Sequence, residues 1–168
     1  MSGSLLTWYS LRDLEAFGVR QVVLSDELEL RQLARLADLL HSNSGSVKAN
    51  LRFRQRRAGW LGLELEYETS LELLCQRCLE PIRYQIAERV EIALLESDAM
   101  ESHVPEGCEP VALDNGRLMP AQLIEDELIV SIPLVPKHAR IDDCGSLARL
   151  VTQTERPESA HKASDLSE

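Results

Sequence analysis

The chain has 168 residues, 44% of them hydrophobic and only 4% aromatic, so one domain with an aliphatic core of Leu, Val, Ile and Ala is expected. Its formal net charge of −10, from 18 basic and 28 acidic residues, excludes adhesion to nucleic acid by bulk electrostatics and suits a basic protein partner. There is no apolar run of roughly 18 residues to span a membrane, and Met1–Tyr9 lacks the basic start and apolar stretch of a secretory signal. A reducing cytoplasm is therefore expected, and the four Cys read as thiols or ligands rather than as a disulfide framework.

In chain order, Leu5–Gly18 mixes polar and apolar residues without a clean period. Phe17–Leu24 is short and β-branched, which predicts a strand. Ser25-Asp26-Glu27 reads as a helix start, a capping Ser followed by acids in the first turn. Leu28, Leu30, Leu33, Leu36, Leu39 and Leu40 then recur at mostly three- and four-residue spacing, the apolar face of an amphipathic helix ending at His41.

From Val47 the period becomes two. Val47, Ala49, Leu51 and Phe53 alternate with Lys48, Asn50, Arg52 and Arg54, and Leu61, Leu63, Leu65 and Tyr67 alternate with Gly62, Glu64 and Glu66. Gln55–Gly59 connects them as a hairpin, Ser70–Cys75 reads as a third strand, and Ile82–Leu95 as a long fourth with a bend near Glu88-Arg89. The predicted fold class is α+β: an antiparallel β-meander curled into a sheet or small barrel, with an N-terminal amphipathic helix and a short C-terminal helix.

Glu96–Pro110 is an acidic loop, and Asp114-Asn115-Gly116 is a hairpin-type turn between Val111–Leu113 and Arg117–Met119. Pro120 opens a helix over Ala121–Ile132, with Leu123, Ile124, Leu128 and Ile129 inward, Glu125, Asp126 and Glu127 on the wet side, and Pro133 as its stop. The segment P-L-V-P-K-H is extended. Residues 1–151 are read as a single domain and 152–168, polar and aperiodic, as a disordered tail.

Cys75 and Cys78 form a C-x-x-C that can hold a structural zinc if two more ligands join it. Cys108, His103 and the tail residue His161 are weaker candidates than His138 and Cys144, which flank a short turn in a segment pinned by Pro133 and Pro136. Three thiolates and one imidazole make an ordinary zinc set. Without metal, Cys75 is the last core position of a strand and Cys78 a turn residue. A redox C-x-x-C sits at a helix N-terminus, whereas this one follows a strand.

Arg52, Arg54, Arg56 and Arg57, interleaved with Phe53 and near Trp60, can touch RNA backbone, or can pair with Glu64 and Glu66 on the neighbouring strand. Glu125, Asp126 and Glu127 spread around a helix rather than converging, which suits a surface for a basic partner and not acid–base catalysis. There is no phosphate loop or nucleophile elbow, and no enzyme or small-molecule substrate is expected.

L-L-C-Q-R-C-L-E-P, followed by I-E-D-E-L-I-V-S-I-P-L-V-P-K-H and a Cys six residues after that His, resembles the bacterial YceD family of large ribosomal RNA subunit accumulation proteins. That family pairs a C-x-R-C with an E-D-E-[LI] segment ending in two spaced prolines, and the resemblance covers Leu11 to Cys144. It implies a cytosolic, non-enzymatic ribosome-biogenesis factor needed for accumulation of large-subunit ribosomal RNA. The implied partners are that RNA or its precursor particle, directly or indirectly, with a basic ribosomal protein as protein candidate. The positions it marks are Cys75, Arg77, Cys78, Pro81, Glu125, Asp126, Glu127, Pro133, Pro136, His138 and Cys144. The alternative from the residues alone is a thiol-redox or metal-handling protein.

Overall fold

Ser10 decides where the first helix begins. In the computed structural model, which describes residues 4–55, 60–96 and 104–144, its hydroxyl accepts from Asp13 N (3.3 Å) while its own N–H donates to Asp13 Oδ2 (3.0 Å). This reciprocal cap starts α1, Leu11–Arg20, directly after the two-residue strand β1, Tyr9–Ser10. Leu14 and Gly18 face the core, and a Cβ on Gly18 would lie 2.6 Å from the backbone oxygen of Arg54, so only glycine lets the helix come this close. The strand expected over Phe17–Leu24 is thus corrected: Phe17–Arg20 are helical, and the strand is β2, Val23–Glu29.

The helix expected from Ser25 to His41 is corrected as well. Ser25, Asp26 and Glu27 lie inside β2 and pair with Asn50, Ala49 and Lys48 of β3, Ser46–Phe53. The leucines that follow occupy a 3₁₀ turn, Leu30–Gln32, and a single helical turn α2, Ala34–Ala37. Leu28, Leu30, Leu33 and Leu36 are buried as the spacing requires, while Leu39 is half exposed. The burial pattern therefore held where the element type did not, because backbone pairing with a distant strand outweighed local helix signals.

β4 runs unbroken from Leu61 to Leu74, merging the two strands expected there, and β5 spans Pro81–Leu95. Their antiparallel ladder keeps one register from Leu61↔Leu94 to Leu74↔Pro81. A short strand β6, Glu109–Ala112, joins β5 in parallel, giving the sheet order β2-β3-β4-β5-β6. The sheet is mostly antiparallel and open, with β2 and β6 as edges, so it is a curled sheet and not a closed barrel. The α+β class is as expected.

Asn115 (φ 49°) and Gly116 (φ 72°) form a tight turn closed by Arg117 N donating to Asp114 O at 2.9 Å. Its arms diverge: β6 pairs with β5, and β7, Arg117–Leu118, pairs with β1. The helix α3, Pro120–Ser131, begins with proline as predicted and buries Leu123, Ile124 and Leu128. Glu125 and Glu127, placed on the wet side by the sequence, are buried at 6% and 8% exposure; of the three acids only Asp126 is exposed. Leucines of all these elements make one aliphatic core, with Phe53 stacked edge-on against Phe17 at 5.4 Å. Among the described residues no helix is long and apolar enough to cross a membrane. The expected hairpin connection at Arg56 and Arg57, residues 97–103 of the acidic loop and the 152–168 tail lie outside the described residues.

Candidate metal centre and its surroundings

Cys75 leaves the end of β4, and the chain turns through Cys78 before β5 begins at Pro81. Cys75 N donates to Glu80 O (2.9 Å) and Leu79 N to Cys75 O (2.8 Å), which closes the turn with Leu79 at φ 60°. This knuckle also captures the segment after α3. Gln76 N donates to Pro136 O at 2.8 Å, and the Arg77 guanidinium donates to His138 O. The prolines on either side keep that segment extended, so His138 reaches the knuckle, and a 3₁₀ turn over Ile141–Asp143 brings Cys144 back to it.

Cys75, Cys78, His138 and Cys144 form a cluster whose ligand atoms all lie within 4.8 Å of one another. Sγ of Cys75 is 4.0 Å from Sγ of Cys144, and Nδ1 of His138 is 3.5 Å from Cys78 Sγ and 3.6 Å from Cys144 Sγ. Zinc bonds of about 2.3 Å to sulfur and about 2.05 Å to nitrogen give tetrahedral edges of roughly 3.8 Å between sulfurs and roughly 3.6 Å from sulfur to nitrogen. The observed spacings follow that tetrahedron, and the three thiols are buried. Burial pushes the Cys75 thiol up, but N–H donors of His138, Arg77 and Cys78, with the His138 ring, outweigh it and hold Cys75 well below its ordinary value. Burial raises Cys144, and the neighbouring sulfurs of Cys78 and Cys75 raise it further. One thiolate is welcome in this dry pocket and a second is not, which is the electrostatic setting a cation relieves.

The C-x-x-C and H-x5-C thus come together as the sequence spacing allowed. Of the weaker candidates, Cys108 lies outside this cluster, and His103 and His161 fall outside the described residues. Spacing alone did not reveal Arg77 as the residue that grips the His138 backbone.

Arg52 on β3 and Arg54 just past its end project toward Glu64 on β4, a residue that is 4% exposed. Arg89 of β5 is 2.7 Å from it, Arg52 is 3.7 Å away, and Arg54 bonds it directly. Burial works against the Glu64 charge, but hydrogen bonds from Arg54 and Arg89 hold its carboxyl below the usual range. Arg89 is the member of this cluster that sequence reading did not find, since its register opposite Glu66 is set by a long-range ladder.

Glu125 accepts from Arg35 N (2.7 Å) and Leu36 N (3.2 Å) at the start of α2, and from the Arg35 guanidinium at 2.9 and 3.1 Å. Asp126 takes the other Arg35 nitrogen at 2.6 Å. Two of the three acids therefore serve an internal tether.

The family model described as "Large ribosomal RNA subunit accumulation protein YceD" matches residues 63–166, a stretch that takes in the knuckle, α3 and the segment through Cys144. Among curated proteins, the Large ribosomal RNA subunit accumulation protein YceD of Haemophilus influenzae is 27% identical over 109 residues, 64% of this chain. The match spans 63% of that relative's length. No solved structure matches the chain.

Proposed function

Because the chain belongs to the YceD family of large ribosomal RNA subunit accumulation proteins, we propose that it is a non-enzymatic ribosome-biogenesis factor needed for large-subunit ribosomal RNA to accumulate. The observation that carries this reading is the family match, which includes both the C-x-R-C and the E-D-E-L helix. The ion pairing of two of the three buried acids supports a binding role: Glu64 and Glu125 are committed to arginines and are not left to converge on a substrate. The proposed compartment is the cytoplasm, where thiols stay reduced. The proposed partner is the precursor of the large subunit, met through its RNA or a basic ribosomal protein.

In this reading Cys75, Cys78, His138 and Cys144 hold a structural zinc, which supplies folding free energy and no chemistry. Their donor set and spacing support it, and burial of both knuckle thiols in a strand-to-strand turn speaks against thiol-redox exchange.

The direct test is the ratio of large- to small-subunit ribosomal RNA after deletion of the gene. The reading predicts a fall in that ratio, restored by the intact chain; an unchanged ratio would sink it. An RNA contact through Arg52, Arg54, Arg56 and Arg57 is tested in the same strain. Charge reversal at Arg56 and Arg57 is the clean variant, because Arg54 also neutralises a buried Glu64. It should flatten the salt dependence of binding to large-subunit RNA.

A further inference from the structure

β5 is only partly covered. β6 pairs with it at Ile92–Leu95 and no further, so Pro81–Glu91 lies at a sheet edge among the described residues. Backbone groups in an antiparallel strand point alternately to its two sides. Leu95 O accepts from Leu113 N on the β6 side, and the register with β4 has no bulge. The N–H and C=O groups of Arg83, Gln85, Ala87 and Arg89 therefore face away from β4, with no backbone partner among the described residues, while the Glu91 carbonyl is taken up where β6 begins. Such a row is a template for another strand.

The core-facing side of this edge is acidic. Glu88, opposite Tyr67, accepts from Tyr67 Oη at 3.1 Å and from Ser131 Oγ at 3.2 Å, at the end of α3. One turn earlier on α3 is Glu127, 8% exposed, whose carboxylate has no hydrogen-bond or ion-pair partner among the described residues. Burial, and then the nearby charges of Glu109, Asp126 and Glu88, push its carboxyl up to about 7. Glu109 opens β6 beside Ile92. These acids are short of a cation. Among the described residues the only cluster with metal-ligand spacing is the Cys/His one, so a basic side chain fits here better than a metal ion.

We propose that the open edge of β5 receives an extended basic segment of another protein as an added strand. Its backbone bonds to Arg83, Gln85, Ala87 and Arg89, and an Arg or Lys on its core-facing side sits among Glu88, Glu109 and Glu127. The charge selects the occupant. The chain's own residues 152–168 set Arg156 and Lys162 against Glu155, Glu158, Asp165 and Glu168, and a second copy's edge sets Arg83 and Arg89 against Glu88 and Glu91, so neither supplies a net positive segment. The inference does not depend on the ribosomal reading.

The test is hydrogen exchange and binding by the full chain at pH 8, with a peptide of alternating arginine and threonine about a dozen residues long as probe. The peptide should slow exchange at the amides of Gln85, Ala87 and Arg89. Ala87→Pro, which removes an N–H that the fold does not use, should weaken binding at least tenfold. Glu127→Gln, which removes a charge without changing shape, should weaken it comparably and serves alone if the proline variant does not fold. The proposal is overturned if the peptide does not bind at low salt, or if both variants bind like the parent. It is equally overturned if those amides are already protected in the free chain, whether by its own segment or in a dimer seen by sedimentation.

Discussion

A carboxylate taken out of water either finds cations or gives up its charge. Glu64 finds three guanidiniums, and its proton affinity falls; Glu127 finds none among the described residues, and its affinity rises to about 7. The two act on stability in opposite directions. Glu64, depressed in the folded state, contributes stability that is present above its unfolded value near 4.5 and is lost as pH falls through its folded value. Glu127 binds its proton more tightly folded than unfolded, so its contribution is fully present below about 4.5 and is lost as pH rises toward 7. Glu127→Gln should therefore raise stability at pH 8 by about 1–2 kcal/mol and leave it nearly unchanged at pH 4.5, read from urea unfolding at the two pH values. An equal effect at both would mean that the gain is packing and not charge. The pairing of Glu64 with Arg52 and Arg54 was legible in the sequence, but its burial, its third arginine and the isolation of Glu127 were not. Both residues sit at positions a periodic reading gives to solvent, and the arginines around Glu64 arrive from both flanking sides, Arg52 and Arg54 from β3 and its end and Arg89 from β5.

At the scale of elements, α3 holds the leucine-rich turn in place. Glu125 caps the orphan N–H groups of Arg35 and Leu36, so the short α2 owes its start to a side chain about 90 residues downstream. Glu125→Gln should cost about 1–3 kcal/mol in thermal or urea unfolding, whereas Asp126→Asn, at an exposed pair, should cost about 0.5 kcal/mol or less. Equal costs would remove the cap from the account. The same element shows why local signals misled. Ser25-Asp26-Glu27 imitates a helix start, yet these residues belong to a strand whose partner, β3, begins seventeen residues after β2 ends at Glu29. The real start, Ser10 with Asp13, carries Asp where a capping box more often has Glu or Gln. Period two from Val47 onward was readable because alternating burial is written directly into side-chain polarity. The parallel strand β6 was not, since only three-dimensional closure decides which strand a four-residue segment joins.

At the scale of the whole molecule, the knuckle is where the described residues after Pro133 are bonded to the turn that ends β4. Gln76, Arg77 and the cluster of Cys75, Cys78, His138 and Cys144 join the extended chain after α3 to the turn between β4 and β5. This juxtaposition was half visible beforehand. The C-x-x-C and the H-x5-C were each legible, but their meeting depends on a proline-fixed path and on Arg77. A structural zinc at that centre is measured most directly by native mass spectrometry of the untagged full chain. The expected result is one zinc per chain, lost in Cys144→Ser together with hydrogen-exchange protection over residues 133–144 while the sheet stays protected. A metal-free chain with the segment equally protected, or a Cys75–Cys78 disulfide in its place, would contradict it.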